Sequence, residues 1–276
     1  MLAGSRPLPA GGFFAAGLVL MLASAGLPLG TAPEMALAAG STSLALICFA
    51  LGGAALAGGS ARQRLGWRPS GLPASVLLGL LLGLLAVSQL AEWAIALAGY
   101  RDVGTLAEFR RAVAGVGGAE LALSLVGLAL LPGFGEELAF RGWIQGGLAT
   151  RMGAPAAVGL SAVLFGLLHG DPLHASGAFV LGLYLGAVTA LAGSIRPAVA
   201  CHIVNNLLAT LTVASGFQAL SGWLVVAGVF AGPWAFRRLW LQHRVAHRAL
   251  KRSPETDLPR NGGTAERGSL DPPVGR

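Results

Sequence analysis

The sequence predicts an all-α fold: a polytopic transmembrane helix bundle of about eight spans. Three observations carry that expectation. Hydrophobic residues make up 54% of the 276-residue chain and charged residues only 11%, whereas an ordinary soluble domain carries about 25% charged residues. The apolar residues fall in long uninterrupted runs, and about 20 of them suffice to cross a bilayer. The basic residues gather beside those runs instead of covering a whole surface.

The spans follow in order. Pro7 to Pro33 holds no charge and gives a first span over 11–30. Arg6 before it resembles the start of a secretory leader, but equally hydrophobic segments follow, so it is read as a transmembrane helix. Met35 to Ala61 gives a span over 35–58, and Pro69 onward gives one over 72–98. Between Arg101 and Gly118, Glu108, Arg110 and Arg111 alternate with Leu106, Phe109 and Val113, the pattern of an interfacial amphipathic helix or ordered loop. Spans over 119–139, 154–169, 176–193, 197–215 and 218–236 complete the set, with Gly142–Gly153 as a short interfacial helix. Ser215-Gly216 divides the last two. From about Arg244 the apolar periodicity ends, and Ser253–Arg276 is rich in Pro, Gly and charge of both signs, as a disordered tail is. The division expected is 1–118 as N-terminal helices, 119–243 as a catalytic core and 244–276 as a disordered basic tail.

The net charge is +7, but its distribution argues against a nucleic-acid partner. Arg62, Arg64 and Arg68 follow the second run, and Arg237, Arg238, Arg244, Arg248, Lys251 and Arg252 follow the last. Positive charge beside spans marks cytoplasmic loops, so both termini are expected in the cytoplasm of a multi-pass inner-membrane protein. Arg101, Arg110 and Arg111 fall on the other side in this scheme. Cys48 and Cys201 lie within apolar runs and read as small hydrophobic fillers. The 42 glycines mostly fall inside apolar runs, where small residues let helices approach closely.

Ionisable groups at membrane depth are costly, so each needs a reason. Gly135-Glu136-Glu137-Leu138-Ala139-Phe140-Arg141 places Glu137 four residues before Arg141, the favourable orientation for an ion pair on a helix. Glu136 is turned about 100° away and is free to face a cavity; a solvated helix end is the plainer alternative. His169 ends an apolar run one turn after Phe165, on the same face, as a structural histidine would. His174 reads as a loop residue. His202 and Asn206 share a face early in a span, placed to bond a neighbouring helix or to present donors to a substrate carbonyl. Glu92 and Glu120 stand isolated and read as helix-end groups.

The combination Glu-Glu-x-x-x-Arg, then Phe-x-x-x-His, then His-x-x-x-Asn, on successive spans from about Glu120 to Leu211, resembles the CAAX-protease and bacteriocin-processing (CPBP, Abi) family. That family includes the type II CAAX prenyl endopeptidases and the lysostaphin-resistance-A-like proteins. The resemblance implies an intramembrane endopeptidase with its active site in an intramembrane cavity of the helix bundle, in which Glu136 activates water, helped by His169. His202 and Asn206 would stabilise the oxyanion, and Glu137 and Arg141 would hold the helix and orient Glu136. The same Glu136, His169 and His202 would form a His₂Glu zinc site if the enzyme uses metal; the alternative is a metal-free glutamate/histidine mechanism with no cofactor. The implied partners are the bilayer and a membrane-anchored peptide, whether CAAX-like or a bacteriocin precursor. A non-catalytic scaffold for a partner's transmembrane segment and a small-solute transporter are the competing readings.

Overall fold

The computed structural model describes residues 10–27, 29–217 and 221–252. The described residues form helices and no strands. In chain order they are α1 (Ala10–Ala25), α2 (Ala32–Leu56), α3 (Ala61–Arg64), α4 (Ala74–Leu97), α5 (Gly104–Val113), α6 (Gly118–Met152), α7 (Ala154–Leu168), α8 (Pro172–Ala192), α9 (Arg196–Ser215) and α10 (Ser221–Arg252).

Among the described residues six helices, α2, α4, α6, α8, α9 and α10, are long and apolar enough to cross a membrane. Two of the eight expected spans, the first and the fifth, are not among these six. The apolar part of α1, Gly12–Ala25, and α7 are shorter; the 15 residues of α7 reach only about 22 Å at 1.5 Å per residue, against a hydrocarbon core of about 30 Å. The fourth span and the expected interfacial helix over Gly142–Gly153 are one continuous α6. The last helix runs through Arg244 to Arg252, so the segment 244–252 is helical, and the tail expected over 253–276 lies outside the described residues.

The sequence explains several boundaries. Thr31-x-x-Glu34 starts α2 with a capping box: Thr31 Oγ1 accepts from the Glu34 amide and Glu34 Oε2 accepts from the Thr31 amide at 2.9 Å, satisfying donors that a helix start leaves free. Asp171-Pro172 starts α8, with Asp171 Oδ1 accepting from the His174 amide at 2.8 Å, so His174 belongs to a helix and not to a loop. The segment 101–118 does form the amphipathic helix α5, which buries Ala107 and Val113. Its Arg110 reaches Glu92 on α4 at 3.1 Å, giving that glutamate a partner. Both cysteines are free thiols.

The central strut is α6. It runs alongside α2, where a methyl group at Gly127 would stand 2.2 Å from the Ala36 carbonyl and one at Gly135 2.6 Å from that of Ser43. A second pair, α4 and α10, closes through Gly79, Gly83, Gly228 and Gly232, and Tyr184 of α8 ties in by donating to the Leu80 carbonyl at 2.6 Å. These approaches bring the C-terminal ends of α2, α6 and α10 to the same end of the bundle. There the loop after α2 is sewn to the α8–α9 turn by Ile195 N to Gly66 O, 3.1 Å, and Ser194 Oγ to Arg68 O, 2.6 Å. That end carries Arg62, Arg64, Arg68, Arg151, Arg196 and the arginines of α10, and none of its segments contains Asp or Glu. The opposite end mixes Glu34, Asp102, Glu108 and Asp171 with Arg101, Arg110 and Arg111.

Candidate active site

The site begins with a close crossing. A methyl group at Gly133 would stand 2.8 Å from the Ile203 nitrogen and 2.9 Å from its Cα, so the backbones of α6 and α9 touch where the one precedes Glu136 and the other follows His202. Pro132 lacks an N–H to continue the helical ladder. The helix also widens into π turns at Leu125–Leu130 and at Glu137–Gln145; such turns inside α-helices occur frequently at functional sites. The second of them opens at the paired glutamates and carries Glu137, Leu138, Ala139, Phe140 and Arg141 into the core.

Glu137 is wholly buried and held from two sides. Arg141 Nη1 lies 2.9 Å from Glu137 Oε1, a buried contact of opposite charges, and His202 Nδ1 lies 2.8 Å from the same oxygen. A carboxylate facing a guanidinium accepts, so His202 carries its hydrogen on Nδ1 and turns Nε2 elsewhere. That Nε2 faces Glu136 Oε2 at 3.8 Å, and the Glu136 side chain retains 13% exposure where that of Glu137 has none. The adjacent glutamates thus stand in unlike surroundings: Glu137 is neutralised and fixed, while Glu136 has an approach from one imidazole and an open side.

Phe165 organises the rest. The Arg141 guanidinium stacks over its ring, 4.3 Å from the centroid, which favours a cation through the ring quadrupole. His169 and His202 both meet Phe165 in edge-on contacts, at 5.1 and 6.0 Å between centroids. His169 caps α7 and its Nδ1 lies 2.9 Å from the Phe165 carbonyl. A carbonyl only accepts, so Nδ1 bears the hydrogen and Nε2 keeps its lone pair for another partner. The ring of His174 packs on His169 at 4.3 Å, and His174 Nδ1 meets Thr105 Oγ1 of α5 at 3.2 Å. On α9, one turn beyond His202, Asn205 Nδ2 donates to Asn206 Oδ1 at 3.2 Å. Asn206 therefore keeps both hydrogens of its amide nitrogen for a further acceptor.

The geometry joins Glu136, Glu137, Arg141, Phe165 and His202 directly, reaches His169 through Phe165, and places Asn206 along the same face of α9. Among the described residues no three His, Cys, Asp or Glu side chains group so as to hold a metal ion. Three polar residues were missed in the sequence. Gln145 donates to the Gly186 carbonyl at 3.0 Å, Ser161 to that of Phe140 at 3.0 Å, and Asn205 braces Asn206. Gln145 had a signal: it lies four residues after Arg141, facing Gly182 and Gly186, themselves four apart. Small residues at that spacing mark close helix packing in lipid.

The segment that builds this site, residues 118–208, matches the family model described as type II CAAX prenyl endopeptidase Rce1-like. Over that segment the chain is similar to the CAAX-protease family. The match spans about a third of the sequence and takes in α6 through most of α9, including Glu136, Glu137, Arg141, Phe165, His169, His202 and Asn206. No curated protein and no solved structure matches the chain. That similarity and the run of long apolar helices together support a multi-pass membrane protein.

Proposed function

We propose that the chain is an intramembrane endopeptidase that hydrolyses membrane-associated peptides with water activated by Glu136. The observation that supports this most strongly is the asymmetry of the glutamate pair. Glu137 is bound by Arg141 at 2.9 Å and by His202 at 2.8 Å, whereas Glu136 has only the 3.8 Å approach of His202 Nε2 and remains partly accessible. A general base has to be within reach of the proton it takes and not already committed to another partner.

In this reading a water held between Glu136 and the lone pair of His169 Nε2 attacks the scissile carbonyl. Its oxygen bonds to the carbonyl carbon and Glu136 takes the proton. The negative charge that develops on the carbonyl oxygen is met by Asn206 Nδ2–H. The proton then passes from Glu136 to the departing amine as the carbon–nitrogen bond breaks. Donors fixed where charge develops contribute a few kcal/mol each to lowering such a barrier.

The basic end of the bundle is read as cytoplasmic, because Lys and Arg near spans are retained on that side. With eight crossings this puts both ends of the chain in the cytoplasm, and the membrane is read as the inner one. The pairing of Arg110 with Glu92 removes part of the positive charge that the scheme puts outside. CAAX-like peptides and bacteriocin-type peptides are the two substrate groups to be compared.

The experiment is proteolysis in liposomes, comparing wild type with Glu136→Ala on membrane-anchored peptides, prenylated and unprenylated, with and without a chelator. Cleavage by wild type alone supports the reading. Cleavage retained by Glu136→Ala removes Glu136 as the base, and loss of cleavage with chelator brings metal back into the chemistry.

A further inference from the structure

The last helix continues past the point where it is needed to cross a membrane. Leu239, 1% exposed, is its last buried side chain and packs with Leu80, Leu185, Val188 and Ala198. From Trp240 onward every side chain described is exposed. This end of α10 holds Arg237, Arg238, Arg244 and Arg248, the basic run continues in sequence with Lys251 and Arg252, and no acid interrupts it. At 100° per residue, Arg237, Arg244 and Arg248 fall within about 40° of one another and roughly opposite Leu239. They form a basic stripe facing away from the bundle.

Orientation in the membrane does not require a stripe. The charge bias that sets topology depends on how many Lys and Arg flank a span, not on the helix face they occupy. Helix stability opposes it, because like charges one turn apart, as Arg244 and Arg248 are, destabilise a helix. Among the described residues no acidic side chain pairs with any of these arginines. Two of them instead lie over tryptophans, Arg238 over Trp234 at 5.7 Å and Arg244 over Trp240 at 4.5 Å. Both rings are exposed, at 41% and 44%, and tryptophans on the outside of a membrane protein concentrate at headgroup depth. The stripe therefore starts where lipid phosphates are densest.

We propose that this end of α10 is a binding surface for anionic phospholipid headgroups of the leaflet from which it emerges. Those headgroups relieve the repulsion along the stripe, and the tryptophans set its depth. A nucleic acid offers the same charge but does not reach the level of Trp234. The surface is separate from the Glu136 cluster and does not depend on its activity.

The test uses the full chain in nanodiscs of mixed phosphatidylglycerol and phosphatidylcholine, with spin-labelled forms of each lipid reporting contact with the protein. Wild type is expected to select phosphatidylglycerol several-fold, with the preference falling as salt rises. The triple variant Arg237→Gln, Arg244→Gln, Arg248→Gln is expected to lose it while keeping its melting temperature, since these side chains face away from the core. If the triple variant fails to fold, Arg248→Glu in the exposed last turns must lower the preference instead. Equal contact of the two lipids with wild type overturns the proposal, as does a preference undiminished in the variants. Displacement of the labelled phosphatidylglycerol by an oligonucleotide would transfer the surface to nucleic acid.

Discussion

His202 Nδ1 stands 2.8 Å from Glu137 Oε1, bridging α9 and α6 at the crossing that Gly133 makes possible. One imidazole is thereby anchored by the buried glutamate and presented to the accessible one, so the fold and the chemistry meet in a single side chain. The consequences differ for each residue around it.

Arg141→Ala should lower stability as well as activity. Arg141 is 2% exposed and stacked on Phe165, and its loss leaves Glu137 buried beside His202 without a countercharge. Stranding one member of a buried pair costs roughly 3–5 kcal/mol. Thermal unfolding in detergent checks this, and an unchanged melting curve would argue that the pair holds nothing together.

Glu136→Gln and Glu137→Gln should separate cleanly, although the residues are adjacent. Glu136→Gln keeps the shape of a side chain with 13% exposure but cannot take a proton, so turnover should fall by about 10²–10⁴-fold with little change in melting temperature. Glu137→Gln should instead destabilise the protein, because Arg141 and the anchored end of His202 lose their acceptor. Equal loss of stability in both would mean that the glutamates share one structural role.

The positions of the motif residues were legible because membrane burial makes every ionisable group conspicuous. The Glu137–Arg141 pair followed from four-residue spacing alone, and it forms even though the helix is widened there into a π turn. Spacing could not show that His202 joins Glu137, since 65 residues separate them and only the glycine crossing decides it. His174 read as a loop residue because the Asp171-Pro172 helix start was passed over. Hydropathy also mistook the end of α10, because an apolar run measures composition and not where a helix is carried onward into water.

Gly133→Ala tests the crossing itself. The added methyl would sit 2.8 Å from the Ile203 nitrogen, and backbone has no rotamer with which to yield. Overpacking of this kind costs about 1–3 kcal/mol, and here it also pushes His202 away from Glu137. Activity should therefore fall further than stability alone explains, measured at a temperature where the variant is fully folded. Gly147→Ala, with nothing within 4 Å of the added methyl, should leave both unchanged.

Asn206→Ala and Asn205→Ala address the oxyanion role from two directions. Asn205 Nδ2 donates to Asn206 Oδ1, which fixes the amide and turns its N–H₂ end outward. Removing Asn206 takes away a donor that acts where charge develops, so kcat should drop by about 10²–10³-fold with KM nearly constant. Removing Asn205 leaves the donor but frees its rotation, so the fall in kcat should be smaller and in the same direction. Asn205→Ser, which keeps a short hydroxyl donor, should recover part of it. An Asn206→Ala variant that raises KM while leaving kcat intact would make this side chain a binding contact of the ground state, and the negative charge of the tetrahedral intermediate would then need another donor.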